Sequence, residues 1–525
     1  MPKGARHGGR GWDRGDQQIP LDREGVWGTV GVVKRMGVYL MVLAWLPWAA
    51  AVERVTVLGD SLTKEYQISF PGLPPLVDGL DPTNPAARNW SEILHERRNA
   101  HFDLGIFRNS FFLNRWTDLR VIGHEYNWAV PGATARAVRN LITGQNLDEI
   151  TSDEDFELFL QIAPDWAQTS ARLTTQVQTT SAAAVIWCGA NDLRYGNTDP
   201  AAQVGGVQVT YNTIYNGDGT GVGNPQRLMD SIQSSVQAIA QHVRSARAGL
   251  PIVVCAVPHI GCAPAVQVSA PTDEVRTGRV TSALHALNTN LRNWTENTLG
   301  GVWVDTQELT ESLIEGGDVV FGGVTFFNQS DEATGADPPA AHNRYIFSHD
   351  GFHPGTAMHA LIAQHVQAAL RAKAPGVFGA SPVLTDRELI VTVLGIPANT
   401  GFVEFMAGSG APANQRGPTD DPDGDSLVNL GEFSLADNTP FPGGRTVLPV
   451  PGVDLNTASV TLTWVPRFQS NIYVAITCQS SPDFVNWTDV PAARVTVAGD
   501  GSHTARVPVV GHPALYLRLK FTALP

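Results

Sequence analysis

Charge is scarce in this chain of 525 residues. Only 16% are Asp, Glu, Lys or Arg, and lysine occurs only at Lys3, Lys34, Lys64, Lys373 and Lys520. There is no long basic run, which argues against a nucleic-acid footprint and against electrostatic capture by anionic membranes. The formal net charge of -14 suits neutral or cationic partners better. Cysteine is also scarce: Cys188, Cys255, Cys262 and Cys478 are too few for a small disulfide scaffold. Buried thiols are the simpler reading, and Cys188 can reach Cys255 only if their Cα atoms lie within about 7 Å. No G-x-S-x-G is found, so the nucleophile elbow of α/β-hydrolases is unavailable. No internal repeat is evident.

Strongly apolar runs are limited to one, Met36 to Ala51, preceded by Lys34 and Arg35 and ending in alanines. A membrane span wants roughly 20 apolar residues, so this shorter run reads as a signal peptide cleaved after Ala51. The expectation is a secreted, periplasmic or cell-surface protein with no transmembrane segment in the mature chain. Residues 1–35, without apolar periodicity, form an N-terminal extension: a long n-region or an upstream start codon. The sequons at Asn89, Asn293, Asn328 and Asn486 matter only in a glycosylating host.

Apolar material is plentiful at 43% of residues, enough for packed cores, and the length predicts more than one domain. From about 52 to 375, short apolar runs alternate with helical patterns, the signature of βαβ units. Five strands are predicted, at 54–58, 120–127, 182–188, 251–257 and 301–305, enough for a doubly wound parallel sheet. Helices are predicted over 226–248, over 281–297 and after Thr356. The stretches 67–86, 196–225 and 315–345 interrupt this rhythm as loops. Beyond Gly376 come a polar linker over 377–445 and a small all-β unit over 446–525.

Four short segments carry chemistry. Gly59-Asp60-Ser61-Leu62 ends the first apolar run. A serine hydroxyl is a poor nucleophile alone, so Ser61 needs a base, an orienting acid and an oxyanion site. Asp350 stands three residues before His353, near enough for one turn to bring a carboxylate to the imidazole Nδ1. Gly132 and Asn191 each follow a predicted strand. A glycine there lets a main-chain N–H approach a substrate oxygen, and an asparagine offers an amide to the crevice where parallel sheets bind ligands. Each segment alone is ordinary: a helix cap, a held loop, a turn glycine, a turn asparagine.

In this order the four segments resemble the SGNH or GDSL hydrolase family across roughly 52–375. The resemblance implies a flavodoxin-like three-layer αβα fold with a parallel five-stranded sheet. It implies Ser61 as nucleophile, His353 as general base and acid, and Asp350 as its orienting partner. It also implies an oxyanion hole from the Ser61 and Gly132 N–H groups and the Asn191 amide, acting through an acyl-enzyme without a catalytic cofactor. The long spacing from Ser61 to residues 127–135 departs from compact members and leaves substrate choice open. Short-chain or acetyl esters, on small molecules or carbohydrate, are the main expectation. A lipase or phospholipase acting on longer chains is the alternative, with the insertions as an apolar lid.

Two rivals belong to other classes. His349 and His353 stand at i and i+4 with an acid second, superficially like a zinc-hydrolase helix, but Gly351 and Pro354 disfavour a helix there. A non-catalytic binding module with a decayed site would not need all five residues intact.

"DPDGDSLVNLGE", Asp421 to Glu432, places Asp421, Asp423, Asp425, Leu427, Asn429 and Glu432 at the ligand positions of an EF-hand-like calcium loop, with Leu427 contributing its carbonyl. Ser426 stands where such loops have glycine. The segment resembles calcium-loop linkers of exported bacterial proteins, and a structural calcium is the expected cofactor, against a solvated acidic linker. The last unit resembles the accessory β-sandwiches of secreted hydrolases. Its Phe484 and Trp487 leave glycan contact, anchoring and spacing all open.

Overall fold

The run Val55–Leu58, wholly apolar apart from Thr56, is suited to a strand covered on both faces. It becomes β1 (Arg54–Gly59), paired in parallel with β2 (Ser181–Trp187), which pairs with β3 (Ile252–Cys255) and then β4 (Val302–Val304). The computed structural model describes residues 52–66, 84, 86–108, 116–146, 165–196, 203, 207–217, 225–314, 316–334, 336–435, 448–512 and 514–525. The expected signal peptide and N-terminal extension, and most of the predicted loop 67–86, lie outside the described residues. Among the described residues no helix is long and apolar enough to cross a membrane.

The parallel sheet has four regular strands among the described residues, not five. The predicted strand over 120–127 is broken by Val121 and Gly123, with φ of 40° and 121°. Its chain instead reaches the free edge of β1 slightly later. Trp128 N donates to Val57 O at 2.8 Å, Val57 N to Tyr126 O at 2.9 Å, and Val130 N to Gly59 O at 2.9 Å. The edge position is therefore filled by an irregular parallel segment joined through one bridge, Val57 to Asn127. The resulting order, edge segment, β1, β2, β3, β4, is a doubly wound one.

Helices cover the sheet where periodicity placed apolar residues. Helix α1 (Trp90–Arg98) is capped by Asn89, whose side chain accepts from Ser91 N and Glu92 N. That sequon asparagine is 0% exposed, so it is a structural cap and no glycan acceptor in the folded chain. There follow α2 (Ala135–Thr143), α3 (Thr169–Thr179), α4 (Ala190–Tyr195), α5 (Gln226–Ala246), α6 (Glu274–Trp294) and α7 (Thr356–Lys373). Leu228, Ile232, Val236, Ile239 and Val243 of α5 are all buried, as their spacing requires. The four cysteines are buried and unpaired.

In sequence between β4 and α7 comes a second, smaller sheet: β5 (Val319–Phe321), β6 (Val324–Ser330) and β7 (Tyr345–Phe347), with β6 and β7 parallel. It falls inside the predicted loop 315–345. The expected linker is not an exposed connection either. Leu384, Leu389, Ile390, Leu394 and Ile396 are buried in the main core, and Glu388 receives hydrogen bonds from Arg97 and Arg98. Helix α8 (Thr400–Gly408) and the short α9 (Asn429–Ser434) share a separate cluster of Phe402, Met406, Leu430, Phe433 and Val474. The apolar run Leu389 to Ile396 forms only one short irregular helix, too brief for a helical period to mark it.

The C-terminal strands are β8 (Val450–Asp454), β9 (Ser459–Trp464), β10 (Val474–Ser481), β11 (Thr488–Asp489), β12 (Val495–Val497), β13 (His503–Pro508) and β14 (Tyr516–Ala523). They make two antiparallel sheets, β8-β9-β13-β12 and β11-β10-β14. Leu462, Trp464, Ala505 and Val507 from one face Cys478 from the other in a small shared core, which is a sandwich arrangement.

Candidate active site

The chain leaves β1 at Gly59, where the strand runs against β2, and turns at once. Thr63 N and Lys64 N both donate to Asp60 O at 3.1 Å, and Leu62 N donates to the Asp60 carboxylate at 3.0 Å. This tight turn places Ser61 at the C-terminal end of the parallel sheet. Its far side is held by two asparagines, with Asn127 Nδ2 donating to Thr63 O at 2.9 Å and Asn89 Nδ2 to Thr63 O at 3.0 Å. Lys64 and Glu65 pair with each other at 3.0 Å, both buried. They reach the 120–124 segment through Ile122 O and His124 N.

The segment after β7 folds back on itself. Ser348 N donates to His353 O at 2.8 Å and Gly351 N to Ser348 O at 2.9 Å, with Gly351 at φ 67° and close to Ser330 Oγ. The turn brings Asp350 under His353: Asp350 Oδ2 lies 2.5 Å from His353 Nδ1, while Oδ1 accepts from Ser348 Oγ, Phe352 N and His353 N. The other ring nitrogen, His353 Nε2, lies 2.8 Å from Ser61 Oγ, across 292 positions of sequence. Ser61 and His353 are each 1% exposed, and the Asp350 side chain is 40% exposed. Burial opposes ionisation of Asp350. The His353 ring and the main-chain donors outweigh it and hold the carboxyl well below the usual carboxylate range.

Donors gather on the other side of the serine. Asn191 is the second residue of α4, whose cap is Gly189, at φ 119° against Val257 and Ile232. One Asn191 Nδ2 hydrogen is engaged by Ala133 O at 3.1 Å, leaving a second. Asp192 accepts from Ala135 N at 2.7 Å, so the GAND turn holds the Gly132 loop. Gly132 has φ 75°, and a Cβ there would meet nothing within 4 Å, which marks open space beside its main chain. Neither the Ser61 N–H nor the Gly132 N–H has a hydrogen-bond partner among the described residues. The Ser61 and Gly132 N–H groups and the second Asn191 Nδ2 hydrogen are therefore unengaged among the described residues.

Ser61, Gly132, Asn191, Asp350 and His353, all predicted from sequence, therefore stand at one sheet end. His349 does not join them. The HDGFH stretch is a turn and not a helix, and His349 Nδ1 faces Asp331 O at 3.2 Å, so the geometry of a helical zinc pair is absent. Sequence reasoning missed the supporting roles of Asn89, which it read only as a sequon, and of Asn127 and Asp192, which carry no motif beyond adjacency to the named segments. Arg194 was missed too; its guanidinium lies 3.9 Å over the Phe352 ring and ties α4 to the histidine turn.

Asp60 is wholly buried. Burial, aided by the nearby Asp192, pushes its carboxyl up to about 7. Beside the site, Leu62, Trp187, Ala190, Phe352 and Met358 line an apolar cavity of about 30 Å³.

The predicted metal loop lies away from this chemistry. Carboxylate oxygens of Asp421, Asp423 and Asp425 fall within 4.8 Å of one another. Leu427 N donates to Asp425 Oδ1, and Asn429 and Glu432 are both 0% exposed in α9. Burial, with the three aspartates, pushes the Glu432 carboxyl up to about 8, and Arg467 pulls the other way. In the sandwich, Phe484 is 62% exposed and stacks on Tyr516, while Trp487 lies under Arg518.

A search of curated proteins gave no match. A family model, GDSL-like Lipase/Acylhydrolase, matches residues 55–366, more than half of the chain and the whole span from β1 through the histidine turn into α7. The chain belongs to the GDSL-like lipase/acylhydrolase family and is a carboxylic ester hydrolase.

Proposed function

We propose that the chain is an exported serine esterase that cleaves short acyl esters, acetyl groups on carbohydrate among them, through an acyl-enzyme on Ser61. The observation that carries the reading is the hydrogen-bonded line from Asp350 through His353 to Ser61 Oγ. In this mechanism His353 Nε2 takes the Ser61 proton as Oγ attacks the ester carbonyl, and Asp350 holds the ring with Nδ1 protonated. The oxyanion is received by Ser61 N, Gly132 N and Asn191 Nδ2, and one such donor is worth about 2.7 to 4 kcal/mol in the transition state. His353 then returns the proton to the leaving alkoxide. Water, activated by the same nitrogen, releases the acid and restores Ser61.

Short acyl groups are supported by the cavity of about 30 Å³ beside Leu62. That is space for one or two water-sized groups, the size of a methyl or ethyl. The carbohydrate preference rests on the apolar leader at 36–51, read as an export signal, and on the exposed Phe484.

The test is hydrolysis of acyl esters of graded chain length by the wild type and Ser61→Ala, each with and without a chelator. The expected result is a fall in kcat of at least about 10³-fold in Ser61→Ala, with the wild type unaffected by chelator. Undiminished Ser61→Ala activity would sink the serine mechanism, and activity lost to chelator and restored by zinc would install a metal mechanism instead. An optimum above about eight carbons would replace the short-chain reading with the lipase one.

A further inference from the structure

Three oxygen atoms in α9 are buried without a donor: both carboxylate oxygens of Glu432 and the side-chain oxygen of Asn429. The Asn429 amide nitrogen is engaged, donating to Gln415 O at 3.0 Å and Gly417 O at 2.8 Å, so that side chain is fixed with its oxygen unsatisfied. A buried carboxylate with no partner is costly, and a fold retains one only where something satisfies it. Arg467 is the nearby cation, but its guanidinium donates to the main-chain carbonyls of Phe433 and Glu432. Three more carboxylates, those of Asp421, Asp423 and Asp425, are brought together just upstream.

We propose that the loop from Asp421 to Glu432 binds one calcium ion through the carboxylates of Asp421, Asp423, Asp425 and Glu432 and the side-chain oxygen of Asn429. By its position in the loop, the Leu427 carbonyl supplies a further oxygen. The donors are all hard oxygens, which suit calcium or magnesium and not zinc or copper. Four carboxylates around one ion suit calcium, since magnesium keeps most of its waters and takes one or two. Ser426, at φ 78°, adopts the left-handed conformation at the sharp turn usually given to glycine, so the residue type did not prevent the turn. Leu430 and Phe433, on the same short helix as Glu432, pack with Phe402, Met406 and Val474. The ion therefore fixes the helix on which the C-terminal strands meet the segment leading out of the esterase core. This site is independent of the reaction at Ser61.

The experiment is calcium titration of chelator-stripped full-length protein by calorimetry, with thermal melts and limited proteolysis alongside, for wild type, Glu432→Gln and Asp423→Asn. The wild type is expected to bind one calcium per chain and to melt a few degrees higher at about 100-fold excess over Kd. Its 421–432 segment should become resistant to proteolysis, and magnesium should bind at least about 10-fold more weakly. Glu432→Gln should bind calcium at least about 10-fold more weakly, while its metal-free melting temperature equals or exceeds the wild type's, because a buried unpaired carboxylate has been removed. Should Glu432→Gln fail to fold, Asp423→Asn carries the same comparison from the loop. No heat and no shift in the wild type at 10 mM calcium, taken as ~10⁴ times a micromolar Kd, would overturn the proposal. So would undiminished affinity in the two variants.

Discussion

Tyr66 donates its hydroxyl hydrogen to the carbonyl oxygen of Pro354 at 2.9 Å, although 288 positions separate the two residues. The same hydroxyl oxygen accepts from His359 Nε2 at 2.9 Å. Burial pushes His359 down to about 3, so this ring stays neutral. Tyr66 closes the turn that begins at Ser61, and Pro354 follows His353. The hydrogen bond therefore clamps the serine turn to the histidine turn.

Tyr66→Phe should lower the melting temperature by a few degrees, because Pro354 O and His359 Nε2 lose a buried partner, and lower kcat by roughly 10- to 100-fold, since a small displacement of the base from the nucleophile is enough for that loss. Steady-state kinetics with a short-chain ester reads it. An unchanged kcat would mean that packing alone positions His353.

Asn191→Ala should lower kcat by about 10²- to 10³-fold with little change in KM, because its amide serves the charge that develops only in the transition state. A rise in KM with kcat preserved would assign Asn191 to ground-state binding instead.

Asp350→Asn should lower kcat by about 10⁴-fold while the fold persists, because an amide favours the wrong histidine tautomer. Circular dichroism and a single-turnover assay separate lost chemistry from lost structure.

Stability should fall as pH rises from about 4 to 7 through the raised carboxyl of Asp60. Its folded value, about 7, lies above the ordinary value of 3.8, so the folded state binds the proton more tightly. The contribution is fully present below the ordinary value and is lost as pH rises through the folded one. Asp60→Asn should flatten that part of the melting-temperature profile. An equally steep slope in the variant would shift the effect to Glu92 and Glu432, whose carboxyls burial also pushes up, to about 7 and about 8.

The gathering of the candidate site residues was legible in sequence because they sit in short contiguous segments placed at strand ends. Gly59 shows how local that logic is: a Cβ there would collide with the Trp187 carbonyl oxygen of the neighbouring strand, so the residue before Asp60 and Ser61 must be glycine for the turn to start where it does. The fold was legible where periodicity runs long, as in α5 and α7. The strand expected at 120–127 failed because apolar content cannot reveal that Gly123 abuts the Glu65 carboxylate and takes φ 121°. The segment 377–435 failed for a different reason: its apolar run, Leu389 and Ile390 included, forms one short irregular helix, Glu388–Val393, and nothing in the composition shows which core it reaches. Supports such as Asn127 and Tyr66 were invisible because they work through long-range hydrogen bonds that no local pattern marks.

The Arg98 to Glu388 contact, 290 positions apart, bears on where this chain can be divided. Gly376 is where the repeating pattern stops, and a cloning boundary drawn from sequence would fall there. A fragment ending at that point would leave Arg98 without its carboxylate and open the places of Leu384, Leu389, Ile390, Leu394 and Ile396 to water. The shortest self-sufficient esterase should therefore extend past Ile396, with its last twenty residues drawn from what looks like connecting chain.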